Sequence, residues 1–437
     1  MITHIRMRNF KSWEDSKKVE IAPLTGFFGT NSSGKSSLLQ MLLLLKQTVE
    51  HSDSEEVIFF GDENSLVSLG NFREVVHRHQ VPSRLVFEFA GKLTHPRLIY
   101  NIPEDGSPWE QMIDQFIFDS VIWSEQQKSV VERLEYRSGR EIVIYEKGSV
   151  FFPSPYEQGR DQRKIELSTC YGKILSGQTI SRSTKLLSQF ASAFEELFSH
   201  VYYLGPTRVH PQRLYHWEGD HPEDLGRWGS KAIDALLSAR VDKRTIQHKE
   251  KEIPIEDRIS EWLREMDLAY SFLLERDGKD YDVRIQKREY GPKVTLADMG
   301  YGLSQFLPVL VLCYYVPVGS TLILEQPGIH LHPKVQSQLA DLLIEVVTER
   351  KLQVLVESHS EHLLTRLQLR IAEGKIPASD TALYFCENDN GVSTIKSLDV
   401  DELGNIKNWP KNFFGNVRGD LVKMTREQMK RQKKAEG

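Results

Sequence analysis

Apolar and polar positions alternate through the opening ITHIRMRNF, the period of a half-buried strand. A second strand region, Glu20–Gly29 (EIAPLTGFFG), runs into the polar stretch TNSSGKSS. From Leu38 to Leu45 the chain is apolar on every side, so a helix there must lie deep in a core. HSDSEE then reads as a polar loop. EVIFFGDENSLVSLGNF carries β-type residues broken by turn signals, and Arg84–Ala90 (RLVFEFA) is another strand.

From about residue 102 the character changes. PEDGSPWEQ is linker-like, VERLEYRSGREIVIYEKGSVFF predicts a hairpin turning at Ser-Gly, and 182–200 looks helical. The stretch 201–232 is dense in aromatic and turn residues. Residues 255–276 predict an amphipathic helix, followed by strands to about 296. Beyond Val294 the pattern becomes alternating α/β. TLILE and LQVLVES are buried strands, Val335–Arg350 and His362–Ala372 are helices, and TALYFCE and VSTIKSL close a sheet. No internal repeat or low-complexity tract interrupts it.

The 437 residues suffice for two or three domains. A hydrophobic share of 40% and a charged share of 27% are those of an ordinary globular chain. A net charge of -5 excludes a generally basic nucleic-acid binder. Positive charge concentrates in LVKMTREQMKRQKKAEG, with six Lys/Arg against two Glu, which reads as a solvated tail. Cys170, Cys313 and Cys386 are scattered and suggest neither a disulfide framework nor a zinc site. The start lacks a signal-peptide core, and apolar runs such as Phe306–Tyr315 are too short to span a bilayer. The expected location is the cytoplasm, with no membrane contact.

The sharpest chemistry lies at Gly29-Thr-Asn-Ser-Ser-Gly-Lys-Ser36, which fits G-x-x-x-x-G-K-[ST] between an apolar strand and an apolar helix. Glycines let successive N–H groups point inward as an anion nest, and the helix N-terminus adds positive potential. Lys35 brings a mobile charge to the outer phosphates, and Ser36 offers a hydroxyl to Mg2+. A deeply packed helix keeps that N-terminus aimed.

With these motifs the chain resembles the ABC-type ATPase heads of the SMC/RecF kind. More closely it resembles bacterial AAA-family ATPases with a short C-terminal domain of unknown function. The resemblance covers about 1–100, about 201–240 and everything after about 290. It maps a basic residue near the nucleotide onto Lys11 in ITHIRMRNFKSWED; taken alone, Lys11 reads as a surface lysine. DMGYGLSQ (298–305) resembles the signature motif, in which Gly302 and Ser304 would face a nucleotide held by another subunit; Ser304 also reads as a helix N-cap. TLILEQP resembles a Walker B strand, with Glu325 on the metal side. Gln326 stands where most such ATPases carry the catalytic Glu, and an amide can orient water but not accept its proton. His330-Leu-His332 reads as a structural turn rather than a metal pair. VLVESHS resembles the switch motif, making His359 a γ-phosphate sensor. Arg208 in YLGPTR either reaches a phosphate or pins a loop. LGNIKNWPKNFF matches the C-terminal domain, with Trp409, Phe413 and Phe414 as packing groups.

The resemblance implies an α/β P-loop NTPase, an ABC/SMC-type head with a mixed sheet and an α+β insertion. Its expected divisions are 1–100 (P-loop lobe), 101–290 (insertion and connecting region), 291–400 (second lobe) and 401–437 (C-terminal domain). ATP and Mg2+ are the implied cofactors. The cofactor-binding set is Lys11, Asn31, Ser33, Gly34, Lys35, Ser36, Ser37, Gly302 and Ser304. Ser36 and Glu325 hold the metal, and Glu325, Gln326 and His359 are the catalytic set. The implied function is a slowly hydrolysing, ATP-sandwiched homodimer that gates a separate effector, such as a nuclease or toxin, in a bacterial antiphage-defence-type system. The alternative is a RecF/SMC-like ATPase acting directly on DNA, and nucleic-acid contact stays open.

Overall fold

The computed structural model describes residues 1–51, 56–101, 109–125, 128–139, 141–151, 164–175, 182–278 and 280–410, with Phe413, 423–429 and Arg431. The chain starts through β1 (Ile2–Phe10), β2 (Trp13–Asp15), β3 (Val19–Glu20) and β4 (Leu24–Gly29), then α1 (Lys35–Glu50) and α2 (Phe72–Val75). Next come β5 (Ser83–Asn101), β6 (Trp109–Glu125), β7 (Lys128–Ser138), β8 (Glu141–Glu146), β9 (Ser149–Phe151) and α3 (Arg182–Ser199). The middle continues through β10 (Val201–Leu204), β11 (Tyr215–His216), α4 (Ala232–Val241), β12 (Thr245–His248), β13 (Lys251–Pro254) and α5 (Ile255–Glu265). It closes with β14 (Ser271–Asp277), β15 (Asp280–Gln286) and β16 (Lys293–Thr295). The last third is α6 (Tyr301–Tyr315), β17 (Thr321–Glu325), α7 (Pro333–Arg350), β18 (Gln353–Glu357), α8 (Glu361–Ala372), β19 (Thr381–Asp389) and β20 (Val392–Ser397).

The central sheet runs β10-β17-β18-β4-β19-β20. Its first five strands are parallel and β20 returns antiparallel, so the fold is mixed α/β. Its buried strands feed two apolar layers. Leu322, Leu324, Val354 and Val356 face a core shared with α4 to α8. Ile323 and Leu355 alternate into a second core, with the α1 leucines and α3. Burial on both faces explains why TLILE and QVLVE read as continuous apolar runs. Parallel connections also bring the carboxyl ends of β4, β17 and β18 to one edge, where α/β sheets bind ligands.

An antiparallel sheet, β2-β1-β5-β6-β7-β8-β9 with β3 beside β1, packs on the second core. The expected division at residue 100 therefore falls at the end of β5, where it pairs with the start of β6. Strands on both sides of it belong to one sheet, and β10, at the start of the central piece that the resemblance covers, joins the central sheet.

Two further expectations differ. Residues 56–71 form no strand, because α1 side chains take their backbone bonds: Phe59 N–H donates to Thr48 Oγ1 (3.1 Å) and Val67 N–H to Gln47 Oε1 (3.1 Å). The amphipathic helix ends at Glu265 rather than running toward 276, with Asp267 at φ 59° turning the chain into β14. Among the described residues no helix is long and apolar enough to cross a membrane.

Candidate functional site

The polar knot is a glycine turn of the kind its sequence predicts. Gly29 has φ 138° and Gly34 φ 88°, and Gly34 is the N-cap of α1. These conformations suit glycine, and the space demands it. A Cβ on Gly29 would lie 2.1 Å from the Cys386 carbonyl oxygen; one on Gly34 would lie 2.5 Å from Ser393 Oγ. Trp13 Nε1 donates to the Gly34 carbonyl (3.0 Å), tying β2 to the loop.

Lys35 is only 3% exposed. Its Nζ donates to the carbonyls of Thr30 (2.6 Å) and Gly29 (3.3 Å) and lies 3.3 Å from Ser33 Oγ. Burial lowers its pKa, opposed by Glu357 and Cys386. Ser33 is fully buried, Ser37 is buried in α1, and Asn31 is exposed at the mouth. There an open cleft of about 650 Å³ is lined by Gly29, Thr30, Asn31, His359 and His362.

Glu325 and Glu357 end β17 and β18 at paired positions. Glu325 Oε1 accepts from Tyr203 Oη (2.9 Å). Burial first, then the Glu357 charge, push the Glu325 carboxyl up to about 7, while Tyr203, Lys11 and Arg208 oppose. Burial also raises the Glu357 pKa, against the side chains of Ser36, Lys35 and Gln326 beside it. Glu357 Oε2 is buried without a hydrogen-bond partner among the described residues. Gln326 is held at φ 48°, its N–H donating to the Glu357 carbonyl (2.9 Å). His359 is exposed; burial of its ring and Lys35 lower its pKa, and the Gly29 carbonyl opposes. Lys11 donates to Gln40 of α1, and the Glu325 charge acts on it.

The structure thus gathers Lys11, the knot residues, Glu325, Gln326 and His359 around one sheet edge. The described contacts of Gly302 and Ser304 lie elsewhere. A Cβ on Gly302 would approach the His330 carbonyl (2.8 Å). Ser304 is not an N-cap: α6 starts earlier, with Gly300 as its cap, and the buried Ser304 Oγ donates to Tyr301 O (2.9 Å). The exposed residues at that helix start are Gly300 and Tyr301.

Arg208 is resolved as a pin. It is 2% exposed and donates to the carbonyls of Glu325 (3.0 Å) and Gln326 (3.2 Å). His332 caps α7, its Nδ1 accepting from Lys334 N–H (3.3 Å), which makes the His330–His332 turn structural. Phe413 packs on Phe28 and Phe385, and Trp409 on Phe413; Phe414 and most of the basic tail lie outside the described residues. Sequence reasoning passed over Glu357. Its signal was available: QVLVE, like TLILE, is a buried strand closing on a carboxylate.

The residues fit a Mg2+-bound nucleotide. A partnerless buried carboxylate oxygen, the Ser36 hydroxyl beside that carboxylate, Lys35 and a glycine turn too tight for any Cβ form one donor set. Residues 1–91 match a family model described as an AAA ATPase domain. Residues 187–365 match one described as an AAA domain, putative AbiEii toxin, Type IV TA system, and residues 376–424 match a protein of unknown function (DUF3696). The chain carries AAA-family ATPase domains and a DUF3696 segment.

No curated protein matches the chain at a significant level. Among solved structures, the chain is similar to an SMC head bound to the C-winged helix domain of ScpA (13% identity, 91% of this chain and 98% of that one, TM-score 0.46). It is similar also to the SMC head domain from Thermotoga maritima (10% identity, 91% and 99% covered, TM-score 0.41). A third is the Smc head with an extended coiled coil bound to the C-terminal domain of ScpA derived from Pyrococcus furiosus (13% identity, 91% and 96% covered, TM-score 0.41).

Proposed function

We propose that this chain binds ATP with Mg2+ at Lys35 and Ser36, and that nucleotide-dependent pairing of two copies gates a separate effector protein in a bacterial antiphage-defence-type system. The observation that carries this reading is the convergence of the glycine turn, buried Lys35 and two buried carboxylates on one sheet edge. Bound Mg2+–ATP supplies the transferable phosphoryl group and its charge compensation. Lys35 takes the outer phosphates, Ser36 and Glu325 the metal, and Asn31 and His359 line the mouth. Gln326 orients water without taking its proton, so turnover is slow. Nucleotide binding then serves mainly to shift an assembly equilibrium.

In the proposed pair, the start of α6, exposed at Gly300 and Tyr301, faces the nucleotide of the second copy. This agrees with the chemistry of a helix N-terminus, whose free N–H groups favour anions. The effector reading draws on the AbiEii description of the matched family. The test is a tagged pull-down from the native host, wild type beside Lys35→Ala, recording proteins and nucleic acid. A stoichiometric protein partner that depends on Lys35 is the expected result. Nucleic acid without a protein partner would move the reading to a RecF/SMC-like head acting on DNA.

A further inference from the structure

We infer that Glu357, the last residue of β18, is a metal-side carboxylate of this site, acting beside the Ser36 hydroxyl on the Mg2+ that accompanies the nucleotide. The inference rests on the nucleotide reading above and adds a residue to it.

Strand order is the first argument. β18 lies between β17 and the P-loop strand β4, with Glu357 in register with Glu325 on one side and Phe27 on the other. Neighbouring strands stand about 4.8 Å apart. Glu325 is therefore two strand spacings from β4, whereas Glu357 is one. Accordingly Glu357, not Glu325, has Lys35 and Ser36 beside it.

The hydrogen-bond inventory is the second. One Glu325 oxygen is taken by Tyr203 Oη, and the positive charges acting on this carboxylate come from Lys11, just after β1, and Arg208, just after β10. Glu357 is 5% exposed, and its Oε2 is without a partner among the described residues. Lys35 Nζ gives its described hydrogen bonds to backbone carbonyls and Ser33, not to that carboxylate. Even with Ser36, Lys35 and Gln326 beside the carboxylate, this oxygen stays unpaired, and a buried unpaired oxygen is costly unless a cation or donor meets it. Charge balance is the third argument: Gln326 leaves the β17 end with a single acid, and Glu357 restores the pair. The same placement sets the carboxylate beside the Ser36 hydroxyl, where outer partners of metal ligands stand.

The test is calorimetric titration of the full chain with the non-hydrolysable analogue AMP-PNP, once in Mg2+ and once in EDTA. Wild type should bind more tightly in Mg2+. Glu357→Gln should lose about tenfold or more of that gain, while its affinity in EDTA stays equal to wild type or tighter, since a negative charge near the phosphates is gone. A full Mg2+ gain in Glu357→Gln overturns the inference. Absence of wild-type binding in both buffers overturns the nucleotide reading itself, so the two failures are distinct. Should Glu357→Gln not fold, Glu357→Asp keeps the charge but withdraws it by one methylene. It should also lose Mg2+ gain, and a wild-type gain there overturns the inference equally.

Discussion

Glu325 and Glu357 stand side by side at the carboxyl ends of two neighbouring parallel strands, and burial, with the charge of Glu357 behind it, lifts the Glu325 pKa to about 7. The sign of the resulting pH dependence follows. Between the unfolded value of 4.5 and about 7, an unfolded chain releases the Glu325 proton while the folded chain keeps it. Stability of the nucleotide-free protein therefore falls as pH rises through that window. Urea unfolding in EDTA across the window should show Glu325→Gln gaining on wild type as pH rises. A parallel pH profile for the two proteins would count against the assignment.

Gln326→Glu should raise hydrolysis. Gln326 is fixed by its N–H on the Glu357 carbonyl and by Arg208 on its own carbonyl, so the new carboxylate inherits a set position. A placed general base contributes about 10²-fold or more. Phosphate release under single-turnover conditions measures it, and an unchanged rate would remove Gln326 from the base position.

Gly29→Ala should harm the fold more than Gly34→Ala. Both pay for a left-handed conformation, about 1–2 kcal/mol. At Gly29 the new Cβ meets the Cys386 backbone at 2.1 Å, whereas at Gly34 it meets the Ser393 and Trp13 side chains at 2.5 and 2.8 Å. Side chains can yield and sheet backbone cannot. Thermal unfolding of the two variants should rank them in that order.

Arg208→Met should destabilise the protein while reporting nothing about phosphate. It strips donors from the Glu325 and Gln326 carbonyls, at about 1–3 kcal/mol for each carbonyl left unpaired. Chemical denaturation measures the loss, and undiminished stability would contradict the pin.

Gly300→Arg tests pairing more cleanly than any change at buried Ser304. Nothing lies within 4 Å of a Cβ at Gly300, and its φ of -58° suits any residue. Folding and nucleotide binding should persist, and the nucleotide-dependent rise in mass by light scattering should vanish. A retained rise would place the dimer contact elsewhere.

The glycine knot, the buried helix behind it, the apolar strands TLILE and QVLVE and the AAA resemblance are all legible in the unfolded chain. Each rests on local chemistry: φ-permissive glycines, period and turn residues leave marks on neighbouring positions. The sequence also carried the loss of the second acid at Gln326. Which carboxylate sits beside Ser36 is set by the fold, because strand order in a parallel sheet is not written in chain order: β18 follows β17 in sequence yet inserts between it and β4. The same holds for Ser304, buried within a helix that starts at Tyr301, and for Arg208, which chooses backbone carbonyls over the cleft. The β6–β9 strands likewise joined the first lobe's sheet rather than standing apart. Pairing partners and side-chain burial depend on contacts between residues distant in sequence, and no local pattern encodes them.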